Sequence, residues 1–374
     1  MDFRFTNYDF MKNTIIRILL SLLTIVLVYI AVVLVHGTLT DYQPEAILPI
    51  DVEQSAESEL ITDSVLTFTI WNIGYGGLGA EADFFFDDGG FLFAGDNMVR
   101  PPRDLVEKYV NGATDFVQNT QSDFFLFQEV DVESKRSYFI NQFEAIREQL
   151  PDYAATFAPN YNAPRVPLPL LEPWRAYGKA YSGLGTFAKY QPTEAKRYQL
   201  PGSFAWPTRI FQLDRCVGLH RFKVDNGKEL VVLNIHNSAH DSDGSLKRQE
   251  MAFIKDLVMQ EYEKGNYVIA GGDWNECPPY FQYDGFMPGQ GGDYFQYNIE
   301  PDFLPEDWQW VYDPTVPTNR KVADPLVMGE TFMTLIDFFL ISPNVRVLAV
   351  KGINQQFRYS DHQPVWMEVE LVGN

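Results

Sequence analysis

Gly271-Gly272-Asp273-Trp274-Asn275 closes the apolar run Tyr267-Val268-Ile269-Ala270. The run reads as a buried strand, and its end carries a carboxylate and a carboxamide two residues apart. Residues i and i+2 of an extended segment point to one face. The spacing therefore predicts that Asp273 and Asn275 reach one substrate atom together. The motif gains weight from others along the chain: Trp71-Asn72, Gln128-Glu129, Asn234-Ile235-His236, Ile336-Asp337 and Ser360-Asp361-His362.

A chain of 374 residues is long enough for one large domain or two ordinary ones, and a 46% hydrophobic content with 29 Phe supplies a substantial core. The net charge of −21 argues against broad nucleic-acid binding, which shows a basic face. It does not exclude a nuclease, because a metal ion supplies local positive charge. Charge is uneven: residues 161–221 hold nine Lys/Arg against three Asp/Glu. Such an island is either a site for an anionic substrate or a set of scattered, solvated side chains. Cys216 and Cys277 are too few for a disulfide framework, which leaves packing cysteines or a single bridge.

Residues 18–35 carry no charge and enter the length range of a membrane span. Arg4, Lys12 and Arg17 precede them, and Asp41, Glu45, Asp51, Glu53, Glu57 and Glu59 follow. The positive-inside rule puts 1–13 in the cytoplasm, a single-pass anchor over 14–36, and everything after it outside, at the cell membrane. The long apolar region and the lack of a clear small-residue cleavage site favour an uncleaved anchor over a signal peptide. Residues 37–64, acidic and short of aromatics, read as a stalk. The folded domain is expected over 65–374.

Within that domain strands are expected over 65–72, 123–130, 153–157, 183–189, 216–224, 229–236, 267–271, 335–341 and 364–372. Helices are expected over 104–120, 137–150 and 245–264. Interspersed strands and helices give an α/β or α+β class with a layered core. Three insertions rich in Gly, Pro and aromatics, 74–102, 159–180 and 277–331, are long enough to be functional. The second contains Arg165-Val-Pro-Leu-Pro-Leu-Leu-Glu-Pro-Trp174.

Taken in order, these motifs make the chain, from residue 65 to its end, similar to the endonuclease/exonuclease/phosphatase superfamily. That group includes pancreatic-type deoxyribonucleases, apurinic-site endonucleases, neutral sphingomyelinases and inositol polyphosphate 5-phosphatases. The resemblance implies a four-layer sandwich of two mixed β-sheets packed face to face with helices outside. It also implies a magnesium-dependent phosphoesterase site at one end of the strands, with manganese as a substitute ion.

Carried over residue by residue, the resemblance makes Glu129 the main metal ligand, with Asn72 and Asp361 beside it. A carboxylate ending an apolar strand needs compensation, and a hard cation gives it. Some nucleases carry an acid two places after the equivalent of Asn72; here that place is Gly74. Asp273 orients or deprotonates the attacking water, Asn275 donates to a phosphoryl oxygen, and His236 and His362 face the phosphate. Asp337, in an apolar strand, partners His362 and fixes its tautomer. Tyr181-Ser-Gly-Leu-Gly185 resembles the family's turn into a central strand. Arg248 is either a phosphate ligand or a structural ion pair. His236 and His240 have the spacing of a helical metal pair, but His236 closes a strand, which argues against one. His36 and His220 read as structural or exposed.

The expected activity is metal-assisted, in-line hydrolysis of a phosphodiester by a monomeric catalytic domain held at the membrane. A phospholipid head group is the first substrate expectation and extracellular DNA or RNA the second. A non-catalytic binding protein on the same fold is the third. A salt-sensitive basic groove would mark nucleic acid, and a narrow aromatic pocket a small head group.

Overall fold

The strands at the centre of the domain are apolar on nearly every residue because both of their faces are covered. Along Val65–Asn72, Leu66, Phe68 and Ile70 face one way into the central core, while Trp71 packs on the opposite side. Phe124–Asp131 repeats the division, with Phe124 and Leu126 inside and Phe125 and Phe127 outside. These two strands pair in parallel, as do Glu229–His236 and Tyr267–Asp273. A parallel pair needs a long crossover, and in each case a helix supplies it: Arg103–Asn119 for the first and Ser245–Glu263 for the second. The computed structural model describes residues 3–87, 89–239, 241, 244–282, 286 and 297–373.

One sheet of seven strands runs in the order Val345–Gly352, Val365–Leu371, Val65–Asn72, Phe124–Asp131, Gly178–Ala188, Ala154–Val166, Val52–Gln54. The other runs Ile47–Pro49, Glu194–Gln199, Cys216–Val224, Glu229–His236, Tyr267–Asp273, Asp337–Ile341, Gln309–Val311, with Leu60–Ile61 paired to Cys216–Val224. Phe68, Ile70, Leu126, Val232, Ile269 and Phe339 meet between the sheets. Helix Ser245–Glu263 covers the outer face of the second sheet with Met251, Ile254 and Val258, and helix Arg103–Asn119 that of the first with Ala113 and Val117. The result is the four-layer sandwich with two mixed sheets. Phe68 is fully buried and stacks on Phe124 with centroids 4.5 Å apart. Its truncation to Ala costs about 3–5 kcal/mol.

A polar bridge crosses the apolar interior at the end nearest the functional residues. Gln128 Nε2 donates to Asn234 Oδ1 at 2.7 Å, and Asn234 Nδ2 donates to the carbonyls of Phe127 and Gly185, each at 3.2 Å. Gly271 and Gly272 leave no room for side chains in the strand that follows this bridge. A Cβ on Gly271 would stand 2.5 Å from the Phe339 ring, and one on Gly272, at φ +141, would stand 2.1 Å from the Ile235 carbonyl oxygen.

The stretch 37–64 is not a bare stalk. It adds Ile47–Pro49, Val52–Gln54 and Leu60–Ile61 to sheet edges and buries Ala56 and Ile61. Edge strands expose one row of backbone groups and tolerate acidic sequence, so composition alone hides them. The expected helix over 137–150 shortens to Gln142–Arg147, because Tyr138 and Phe139 take left-handed backbone angles. Much of the 159–180 insertion continues the antiparallel pair Ala154–Val166 and Gly178–Ala188. Cys216 and Cys277 are separate buried thiols, as packing cysteines are. An apolar helix, Phe3–Leu39, precedes the domain, and the span from Phe10 to Leu39 is long and apolar enough to cross a membrane.

Candidate active site

Sheet register assembles the chemistry. Asp273 is opposite His236 on one side and Asp337 on the other, so three ionisable residues stand in a row across three strand ends. From the facing sheet, Asn72 lies opposite Gln128, with Glu129 next along. The register between Phe127 and Val130 shifts at this point, and Glu129 takes φ +54. Such a bulge breaks the strand's alternation and re-aims one side chain; here the carboxylate lines a cavity of about 660 Å³.

Asp273 is the hub. Its Oδ2 accepts Asn72 Nδ2 at 3.0 Å and lies 3.5 Å from His236 Nε2 and 3.8 Å from His362 Nε2. Its Oδ1 accepts the Asn275 backbone N–H at 2.9 Å. Asn275 has φ +53, so an Asx-type turn, not strand alternation, brings it to the cavity beside Asp273. One of its amide N–H groups donates to Asn237's carbonyl at 2.9 Å.

His362 Nδ1 is 2.8 Å from Asp337 Oδ2, and its Nε2 is 3.0 Å from Asn319 Nδ2. Burial disfavours its imidazolium, but the charges of Asp337, Asp361 and Asp273 together outweigh burial and hold its pKa well above the ordinary value. His236 behaves oppositely. Burial, helped by Arg215 and His362, lowers its pKa well below the ordinary value, and its Nδ1 has no hydrogen-bond partner among the described residues. The two histidines therefore enter the site in different charge states near neutral pH.

Glu129 and Asp361 are the oxygen donors suited to a hard divalent cation. Burial raises the Asp361 pKa. A Cβ on Gly74 would stand 2.8 Å from Asp361 Oδ1, so Asp361 occupies the space a side chain at 74 would need. The acid missing from position 74 thus has a structural counterpart. Asn72 stands beside these carboxylates: its amide nitrogen faces Asp273 at 3.0 Å and Glu129 at 3.3 Å, and its Oδ1 accepts the Gly74 N–H. Asp273, Asp337 and His362 also bring potential ligand atoms within 4.8 Å of one another. The direct His362–Asp337 bond ties that group into a dyad, with no need for an ion.

Arg248 is exposed and lies outside the cavity lining; its neighbour Lys247 lines it and donates to the Asn275 carbonyl at 2.8 Å. The basic island is largely neutralised: Arg175, Lys179, Lys189, Lys196, Arg209 and Arg221 each pair with an acid. Its member Arg215 lines the cavity and has a buried Nη1 with no partner among the described residues. Sequence reading missed this residue, because nothing near it in the chain marks it out. His220 is buried within its sheet against Thr156, a structural histidine as expected. His240 lies outside the described residues, and so does part of the 277–331 insertion.

Much of the rest of the cavity has an aromatic lining. Tyr75, Phe84, Phe85, Phe86, Tyr161 and Tyr177 line it, around an Arg136 whose guanidinium lies 3.8 Å from the Tyr75 ring centre and bonds Asp131 bidentately. The 74–102 insertion supplies most of these rings. Arg320 fixes that insertion by donating to the carbonyls of Leu78, Gly79 and Ala82.

Two facing sheets whose strand ends converge on a carboxylate–histidine set define a phosphoesterase class. The signature of the Endonuclease/Exonuclease/phosphatase family matches residues 71–362, and the chain belongs to that family. Its fold is similar to that of ANGEL2, a 2′,3′-cyclic phosphatase, in complex with adenosine-2′,3′-vanadate. That similarity has 11% identity and a TM-score of 0.53, over 86% of this chain and 98% of that one. It is also similar to the endonuclease/exonuclease/phosphatase from Beutenbergia cavernae DSM 12333, at 14% identity and TM-score 0.50, over 83% of this chain and 72% of that one. Identities this low speak for a shared fold. No curated protein matches the chain.

Proposed function

We propose that the protein is a divalent-metal-dependent phosphodiesterase whose substrate carries a small head group, held at the outer face of the cell membrane by its N-terminal helix. The observation that carries this reading is one cavity whose lining combines an ionisable set with aromatic rings. Glu129, Asp273, His236, His362 and Asp361 line it together with Tyr75, Phe84, Phe85, Phe86, Tyr161 and Tyr177. A volume of about 660 Å³ suits a small organic group on a phosphate. An acidic protein whose 161–221 basic island is largely neutralised by acids is poorly suited to supply the broad cationic track that a nucleic-acid strand requires.

Magnesium or manganese, held by Glu129 and Asp361, would polarise the phosphoryl oxygen and stabilise the leaving oxygen. Asp273 accepts a proton from the attacking water, for which it is pre-aimed by Asn72 and the Asn275 N–H. His362, protonated and supported by Asp337, stabilises the developing charge and returns a proton. His236 is neutral and acts as a hydrogen-bonding group. Asn275's second amide N–H, Lys247 and Arg215 supply donors to the phosphoryl oxygens.

A screen of the full chain in detergent with magnesium tests the substrate class. Hydrolysis of phospholipid head groups with little action on DNA or RNA is expected; preferential cleavage of nucleic acid would replace this reading with a nuclease. Protease added to intact cells tests the topology. Digestion of the domain is expected, and a protected domain rules the outward orientation out.

A further inference from the structure

The segment 202–213 lies between the end of the N-terminal helix and the cavity. On one side Gly37 packs against it so closely that a Cβ there would stand 2.9 Å from Ile210 Cδ1 and 3.1 Å from Phe211 Cε1. Trp206 Nε1 donates to Thr38 Oγ1 at 3.2 Å, and Arg209 pairs with Asp41 at 3.7 Å. On the other side Phe204, Phe211 and Leu213 line the cavity, and the Phe211 carbonyl accepts the Tyr161 hydroxyl at 2.9 Å. One short piece of chain therefore touches both the anchor and the cavity wall.

The apolar run of the helix ends within its last turns, so Gly37 and Thr38 fall where hydrocarbon gives way to head groups. Trp206 is 54% exposed at that level, and its indole is the side chain that settles best there, with an apolar face and a polar N–H. The rim of the cavity carries further exposed apolar groups. Leu168 lines the cavity, and the backbone N–H groups of Leu170 and Leu171 bond the carbonyls of Phe91 and Leu92. Phe91, Leu92 and Phe93 are all exposed, as is Trp174 of the same loop as Leu168. Three consecutive exposed apolar residues on an acidic protein mark a surface that meets something apolar. The helix long and apolar enough to cross a membrane is fixed to segment 202–213, which lines the same cavity, and this favours the bilayer as that partner.

We infer that the cavity mouth rests on the bilayer surface that holds the helix, with segment 202–213 as the plate joining them and Trp206 seated in the head-group layer. The substrate is then a phosphodiester lipid of the same leaflet, delivered by lateral diffusion. This rests on the phosphodiesterase reading above for its chemistry, but the docking itself does not depend on activity.

The test uses the full chain in phosphatidylcholine vesicles, with wild type compared to Trp206→Asp. Brominated phosphatidylcholine should quench tryptophan fluorescence in wild type, and the quenchable fraction should fall in the variant and in Trp206→Phe. Hydrolysis of soluble bis-p-nitrophenyl phosphate should be unchanged in Trp206→Asp, while turnover of vesicle lipid should fall about tenfold or more, as a charge placed at the interface is expelled from it. Equal quenching in all three proteins overturns the docking. So does a variant that loses soluble and vesicle turnover in proportion. Normal quenching with no phosphodiester turnover in wild type would instead sink the enzymatic reading and leave the docking standing.

Discussion

His362 Nδ1 and Asp337 Oδ2 are 2.8 Å apart, although Asp337 opens one strand, His362 lies in the loop before another, and Asp337 is wholly buried. Removing either partner leaves a buried charge or a wrongly held imidazole. His362→Ala and Asp337→Asn should each lower kcat by about 10²-fold or more, in the range of acid–base contributions. The double variant should lose little beyond the worse single one, since residues acting as a unit are not additive. Independent multiplication of the two losses in steady-state kinetics would show that no dyad operates.

Glu129 is aimed into the cavity by a bulge, where the proposed reading has it hold the ion. Glu129→Gln keeps the volume and removes the charge. Magnesium binding by calorimetry should weaken by at least about tenfold and turnover should collapse, with the melting temperature within a few degrees of wild type. Magnesium affinity equal to wild type would assign the ion elsewhere.

Arg215 lines the cavity and has a buried Nη1 with no partner among the described residues. A charge-assisted bond to substrate is worth roughly 1.5–3 kcal/mol. Arg215→Gln should therefore lower kcat/KM by about 10- to 100-fold, and Arg215→Lys should recover part of the loss. A variant with unchanged kcat/KM would make this arginine structural.

His220 gives a stability prediction away from the chemistry. Burial lowers its pKa to about 4. The unfolded chain binds this proton near the ordinary value of about 6.5 and the folded chain only near 4, so the contribution is complete above pH 6.5 and is lost as pH falls toward 4. The stake is on the order of 3 kcal/mol. Denaturant unfolding of wild type and His220→Asn should diverge across that window, the wild type losing more stability on acidification. Parallel pH profiles would contradict the assignment.

The sequence pattern carried the central strands, the long helices and the strand-end residues, because each is written in a local apolar run or a fixed spacing. Asp273, Glu129 and His236 stand at the ends of such runs, while their roles and that of His362 were legible through the resemblance to the family. What was illegible depends on pairing at a distance. The edge strands within 47–61 have acidic, short sequences, and only their partners make them strands. Asn275 reaches the cavity through a left-handed turn, which periodicity does not encode. Arg215 was hidden inside a basic stretch whose other members are mostly neutralised by acids, several of them remote in sequence. For Arg248 the sequence left a phosphate ligand and a structural ion pair equally open, and it is Lys247, its neighbour on the helix, that lines the cavity.

The most direct test of the central claim is steady-state hydrolysis of bis-p-nitrophenyl phosphate by the full chain in detergent, with magnesium, with manganese, and with excess EDTA. The expected result is turnover with either metal, abolition by EDTA, restoration by added magnesium, and no turnover by Asp273→Asn under any condition. Turnover that persists in EDTA, or an Asp273→Asn variant as active as wild type, would contradict metal-assisted phosphodiester hydrolysis at this site.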